Sequence, residues 1–181
     1  MPNEIILVNE LDNMVGTMEK MEAHRKGLLH RAFSVFIFND KGELLLQQRA
    51  FDKYHSAGLW TNSCCSHPAP GEATKDAAIR RTFEELGFQV GLEEIFHFTY
   101  KHHFDNGLTE FEYDHVFTGF YNAKVKPDPA EVADFRFVSV PQLDSDLIKA
   151  PEKFTAWFHI AWPLVREWVL DKQSVQNQNL Q

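Results

Sequence analysis

The chain has 181 residues, 44% of them hydrophobic, which suffices for one well-buried domain and is short for two. Its formal charge of -8 lacks the basic excess of a general nucleic-acid binder. No run of about 18 apolar residues marks a membrane span, and Met1 to Asn9 lacks the basic-then-apolar order of a signal peptide. A cytoplasmic protein is therefore expected, with residues 1–172 forming one domain and the polar, Gln/Asn-rich stretch 173–181 a disordered tail. The only cysteines, Cys64 and Cys65, are sequence neighbours, a poor geometry for a disulfide, and read as free thiols of a reducing compartment.

In chain order, Glu4 to Val8 reads as a strand that turns at Asp12-Asn13 into a return strand near Val15 to Met18. Arg31 to Phe38 is predicted as a longer strand, in which Phe33, Val35 and Ile37 alternate with residues of mixed character. It turns through Asn39-Asp40-Lys41-Gly42 into Glu43 to Gln48, a hairpin buried on both faces. After a loop carrying Pro68, Pro70 and Gly71, Thr74 can cap a helix that ends at Leu86 with Gly87 as terminator; Ile79, Phe83 and Leu86 form its apolar stripe. A second hairpin joins Ile95 to Phe104 with Thr109 to Tyr121 through Asp105-Asn106-Gly107. A turn symmetric about Asn106 sets Tyr100 opposite Glu112 and His102 opposite Glu110. A strand at Phe135 to Val140 and a helix from Thr155 to Leu170, interrupted or kinked at Pro163, complete an α+β order with a sheet covered by helices.

Chemistry concentrates in Asn62-Ser63-Cys64-Cys65-Ser66-His67-Pro68 and the block from Glu72 to Phe88, which bring a thiol, an imidazole and a helical carboxylate pair together. His67 lies two beyond Cys65, a same-face spacing in extended chain, while Cys64 alternates to the other face. On the predicted helix Arg80 and Glu84, and Arg81 and Glu85, sit four apart; the plain account is two ion pairs on a solvated face. Glu110 and Glu112 share one face of a predicted strand, which must be exposed or neutralised by a cation. His24 and His30 are six apart and do not share a face of one helix; a break at Gly27 would let them converge.

Glu72, Arg80, Glu84, Glu85, Gly87 and Phe88 keep the spacing of a Nudix box, with Ser66 in place of its leading Gly and Arg81 in place of the first Glu of its helical motif. Together with Asn-Ser-x-Cys-x-His-Pro, this resembles the type I isopentenyl diphosphate isomerases over about Lys20 to Trp157. The resemblance implies a Nudix-like mixed β-sheet sandwiched between helices, and an enzyme that moves the double bond of isopentenyl diphosphate to give dimethylallyl diphosphate. It matches His24, His30, His67, Glu110 and Glu112 to the ligands of a divalent metal, for which a mixed imidazole and carboxylate set suits Mn2+, Zn2+ or Mg2+. Glu85 matches the carboxylate that holds a Mg2+ bound with the substrate diphosphate. The spacing from His24 to His30 is one residue shorter than in bacterial members of that family.

The same resemblance makes Cys65 and Glu112 the acid/base pair, with Tyr100 supporting the carboxyl side, and matches Lys20, Arg49, Lys53 and Arg81 to the cations on the diphosphate. Trp157 matches the aromatic beside a developing cation, worth about 2 kcal/mol when desolvated; the plain alternative is helix packing. The expected partner is thus a small isoprenoid diphosphate, without nucleic acid or membrane. Two rivals remain at this level: a Nudix hydrolase of a nucleoside diphosphate derivative, which Arg81 and the Cys-x-His motif disfavour, and a non-catalytic metal-binding domain on the same fold.

Overall fold

The computed structural model describes residues 3–178, with side chains from 3 to 172. Strands β1 (Glu4–Val8) and β2 (Met14–Glu19) pair antiparallel, with Asp12 in their turn at φ 62. Helix α1 (Lys20–Lys26) follows, its first N–H groups capped by the Glu19 carboxylate. Gly27 closes it in the left-handed region at φ 60, so the chain reverses and His30 opens the next strand, β3 (His30–Phe38). A seven-residue helix was not legible in the sequence; the break at Gly27 was.

β3 is buried along nearly its whole length and forms the centre of the mixed sheet. On one edge it runs parallel to β8 (Thr109–Phe120), from His30 opposite Glu112 to Phe38 opposite Phe120. Its other edge is divided among β1 at His30, β6 (Cys64–Ser66) at Phe33 to Val35, and β4 (Leu44–Arg49) at Phe38. The hairpin expected between β3 and β4 is therefore a single residue pair, Phe38 with Leu44. β4 swings away to pair with β9 (Val132–Val138) and β5 (Trp60–Thr61). Side chains satisfy the backbone groups exposed by this parting: Ser63 Oγ accepts from Ile37 N at 2.8 Å and donates to Leu45 O at 2.6 Å, and Asn62 Nδ2 donates to Val35 O at 3.2 Å. The Asn-Ser of the motif thus pins open the cleft in which the following residues lie.

Two-sided burial follows from strand parity. Phe33, Val35, Ile37 and Leu45 pack on one side, with Cys64, Leu86 and Phe88; Phe36, Phe38, Leu44 and Leu46 pack on the other, with Leu143, Phe158, Trp162 and Val165. Helix α2 (Thr74–Leu86) covers the first side, with Ala73 rather than Thr74 at its N-cap and no side-chain cap bond. Its buried face is Ala77, Ala78, Thr82, Glu85 and Leu86; of the expected stripe Leu86 is buried and Ile79 packs partly buried against the core, while Phe83 is 51% exposed. Small Ala77 and Ala78 let the helix lie close over Cys64, which rotates Phe83 outward. Gly87, at φ 78, closes α2 where a Cβ would come within 2.4 Å of Lys126 O.

β7 (Glu93–His103) and β8 form the expected hairpin, with Tyr100 opposite Glu112 and His102 opposite Glu110. Helix α3 (Val140–Lys149), capped by Ser139, and a 3-10 turn at Pro151–Lys153 were not anticipated. Helix α4 (Ala156–Gln178) covers the second side and continues through Pro163 without interruption. Of the tail expected at 173–181, residues 173–178 continue α4, and 179–181 lie outside the described residues. No described helix is long and apolar enough to cross a membrane.

Candidate metal and acid-base site

Alternation along β8 sends Glu110, Glu112 and Asp114 to one face, where all three are buried. His24 near the end of α1, His30 at the start of β3 and His67 just past β6 converge on the first two, and one donor atom from each of the five lies within 4.8 Å of all the others. His24 Nε2 is 3.2 Å and His30 Nε2 3.8 Å from Glu110 Oε2. His30 Nε2 is 3.6 Å and His67 Nε2 2.9 Å from Glu112 Oε1. The six-residue spacing of the first two histidines is spanned by the Gly27 reversal.

The donor set fits a divalent cation on its own chemistry. His24 Nδ1 contacts Lys20 O at 2.6 Å and His30 Nδ1 contacts Leu28 O at 2.8 Å; only a protonated Nδ1 can donate to these carbonyls, so in the neutral rings each Nε2 is a lone pair aimed inward. Both Nε2 atoms and Glu110 Oε2 are buried without a hydrogen-bond partner, a costly arrangement that a shared cation relieves. Burial raises the Glu110 carboxyl, but the combined pull of His24 and His55 outweighs it and holds it well below the usual range. Glu112 is raised by burial and by Glu110, and lowered by a larger combined pull from His30 and His67. Burial drives His67 down to about 4 against the attraction of Glu112.

Each carboxylate is also held from outside. Tyr100 OH donates to Glu112 Oε2 at 2.6 Å, leaving Oε1 for the imidazoles. His55 Nε2 approaches Glu110 Oε1 to 2.5 Å, obliquely, its ring stacked on Phe104 with centroids 4.6 Å apart.

Beside the cluster a cavity of about 70 Å³ is lined by Cys65, Tyr100, Glu110, Glu112, Tyr54 and Trp157. Cys65 is partly exposed to it; burial, against the opposing Arg49, pushes its thiol up to about 12. Cys64, fully buried, points into the core under α2. Trp157, in the first turn of α4, is only 4% exposed, yet its ring reaches the cavity and lies 5.4 Å from the Arg49 guanidinium.

Lys20, Arg49, Lys53 and Arg81 all line the same cavity, as do Glu85 and Glu131. Both helical ion pairs form, Arg81–Glu85 at 2.8 Å and Arg80–Glu84 at 3.2 Å, but only the second lies on an exposed face. Glu85 is 5% exposed and accepts from Gln47 Nε2 at 2.9 Å. Sequence reasoning missed Tyr54, His55, Gln47 and Glu131. They come from loops and a strand without periodic signal; the one hint was Lys53-Tyr54-His55, an ionisable and aromatic run in a connecting loop.

Residues 28–158 match the family model of the NUDIX domain. The chain is 47% identical over 165 residues to the isopentenyl-diphosphate Delta-isomerase of Pectobacterium atrosepticum, covering 91% of this chain and 92% of that one. It is 49% identical to the enzyme of that name from Serratia proteamaculans, over 87% of this chain and 88% of that one. The chain belongs to the isopentenyl-diphosphate Delta-isomerase family. A third member, from Streptomyces coelicolor, is 50% identical over 89% of this chain and 84% of its own length. Among solved structures, a Deinococcus radiodurans protein superposes with a TM-score of 0.68 at 20% identity, over 81% of this chain and 90% of that one. A Methanosarcina mazei MutT protein does so at 0.58 and 24%, over 72% and 87%. These two likenesses are of fold alone, and they place this isomerase-family chain on the Nudix α+β sandwich.

Proposed function

We propose that this protein interconverts isopentenyl diphosphate and dimethylallyl diphosphate by adding a proton at one carbon and removing another two carbons away. The observation that supports this best is that Cys65 and the Tyr100–Glu112 pair line one small cavity, walled by Trp157 and continuous with four cationic side chains. An alkene is a very weak base, so its protonation needs a positioned acid on one side and a base on the other. Cys65 and Glu112 fill these two roles. A proton delivered to the terminal methylene leaves a tertiary carbocation, and loss of a proton from the carbon next to the diphosphate-bearing one forms the new double bond. The diphosphate is unchanged and no net proton is consumed.

Trp157 offers an indole face to the cation and, with Tyr54, limits water that would capture it. Tyr100, hydrogen-bonded to Oε2, fixes the Glu112 carboxylate toward the cavity. His24, His30, His67, Glu110 and Glu112 would hold Mn2+, Zn2+ or Mg2+, which when bound tunes the acidity and orientation of Glu112. Lys20, Arg49, Lys53 and Arg81 bind the diphosphate, and Glu85 would hold a Mg2+ that offsets its charge. Arg81 stands where a hydrolase of this fold carries a box glutamate, which favours holding a diphosphate over cleaving it. The reading is of a single domain working in the cytoplasm.

Incubation of isopentenyl diphosphate with the protein and Mg2+ in heavy water tests the reaction by proton NMR and mass. Dimethylallyl diphosphate carrying solvent deuterium in the newly formed methyl, with its diphosphate intact, is expected. Phosphate release without carbon-bound deuterium would overturn the reading and favour a hydrolase.

A further inference from the structure

Glu131 precedes β9 and takes no part in the acid-base chemistry, yet its carboxylate joins two of the four cavity cations. Oε2 pairs with Lys53 Nζ, and Oε1 lies 3.4 Å from Arg81 Nη2. Those cations come from separate elements, the loop after β4 and helix α2. A carboxylate bridging them occupies the place of a bridging anion. The same Arg81 Nη2 also contacts Glu85 Oε1 at 2.8 Å, so Glu131 and Glu85 flank one guanidinium nitrogen. The Glu131 side chain is 27% exposed, and Lys53 and Arg81 hold its carboxyl low against the effect of burial. Its backbone is fixed independently: Ala50 N donates to Glu131 O at 3.0 Å and Glu131 N to Asp128 O at 3.0 Å.

Resting on the reading that Lys53 and Arg81 bind diphosphate, we propose that Glu131 is a specificity residue that competes with the substrate for these two cations. An incoming anion has to displace an ion pair that is already made. A monophosphate sets the charge of a single phosphoryl group against both contacts that must be broken, whereas a diphosphate carries more charge and can engage Lys53 and Arg81 with different phosphoryl groups. A divalent cation carried by the diphosphate would give the released Glu131 carboxylate, which lies with Glu85 against Arg81, a new positive partner. Glu131 therefore ties diphosphate binding to Mg2+ and rejects simpler anions. Glu84 provides the contrast: it also touches Arg81, at 2.6 Å, but from the exposed side of α2 and outside the cavity.

The test is calorimetric binding of inorganic diphosphate and inorganic phosphate to the metal-loaded full chain, with and without added Mg2+, for wild type, Glu131→Gln, Glu84→Gln and Arg81→Ala. Glu131→Gln is isosteric and keeps the backbone anchors, so folding is expected to persist. It should bind Mg2+-free diphosphate about tenfold more tightly than wild type, the release of roughly 1.4 kcal/mol of competition, and should gain affinity for phosphate as well. Its enhancement by Mg2+ should shrink, and Glu84→Gln should change each value by less than about twofold, as for an exposed pair. Unchanged or weaker Mg2+-free binding by Glu131→Gln, or an equal gain in Glu84→Gln, overturns the proposal. Arg81→Ala separates the two levels: if it binds diphosphate as well as wild type, the assignment of the cations falls. If it binds weakly while Glu131→Gln matches wild type, only the role of Glu131 falls.

Discussion

Adjacent thiols with opposite surroundings make the sharpest test of the catalytic assignment. Cys65 borders the cavity with Glu112 and Tyr100, while Cys64 is fully buried against Ala77, Ala78 and Leu86. Cys65→Ala removes a positioned acid/base group, which contributes about 10² to 10⁴-fold. That corresponds to about 3–5 kcal/mol of barrier. Because the thiol is partly exposed and lies outside the core, stability should hardly change. Cys64→Ala has the reverse signature. Deleting one buried heavy atom costs about 1 kcal/mol in lost transfer and residual void, which lowers the melting temperature by about 2–4 °C in a chain of this size and leaves turnover within about threefold, a margin of roughly 0.7 kcal/mol. Conversion followed by proton NMR gives the rates, and thermal unfolding by circular dichroism gives the stabilities. Turnover lost in Cys64→Ala to the extent seen in Cys65→Ala, or retained in Cys65→Ala, would refute the assignment.

Two further perturbations probe the carboxylate and the cluster. Tyr100→Phe strips Glu112 Oε2 of its 2.6 Å hydrogen bond and leaves a buried oxygen unpaired, a cost of about 1–3 kcal/mol; kcat should fall by tenfold or more with KM little altered, and an unchanged kcat would show that the phenol does not position Glu112. Stripping divalent ions with a chelator should abolish turnover and lower the melting temperature, because a ligand of the folded state alone stabilises it. Mn2+ or Zn2+ should restore both, and a verified metal-free protein with full activity and stability would dispose of the cluster as a metal site.

Much of the architecture was legible where local signals are strong. The Asn106 turn fixed the β7–β8 register, and with it the placing of Tyr100 opposite Glu112. The reversal at Gly27 followed from a residue that reaches positive φ without cost. What was hidden depends on contacts distant in sequence. Nothing near Phe38 says that its strand edge will be given to Cys64–Ser66 rather than to β4, because that choice is made by Asn62 and Ser63 bonding to Val35, Ile37 and Leu45. Periodicity put Phe83 in the core of α2, whereas two alanines set the helix close to the sheet and turned it outward. Of the residues lining the cavity, Cys65, His67, Glu110 and Glu112 were singled out by motif or same-face spacing, and Lys20, Arg49, Lys53 and Trp157 by the family resemblance alone; His55 and Glu131 were not singled out, since the fold alone brings these loop residues to the cavity.

Strand parity ties the chemistry to the fold more tightly than any one motif does. β6 pairs with β3 so that Cys65 stands opposite Ser34 and Cys64 opposite Val35. β8 pairs with β3 on the other edge so that His30 stands opposite Glu112 and Ala32 opposite Asp114. Even-numbered positions of β3 and β8 therefore share a face with Cys65, and Ser34 Oγ, between them, donates to Asp114 Oδ2 at 2.7 Å. Odd-numbered Phe33, Val35, Ile37 and Phe117 share the other face with Cys64, in the core. With one strand interposed, the strands bearing Cys65 and Glu112 run about 10 Å apart, and both side chains line the one cavity. A slip of one residue in the β6 pairing would bury Cys65 and deliver Cys64 to the cavity. Which thiol faces the cavity is thus decided by the register, and the register is held by the hydrogen bonds of Asn62 and Ser63 just upstream.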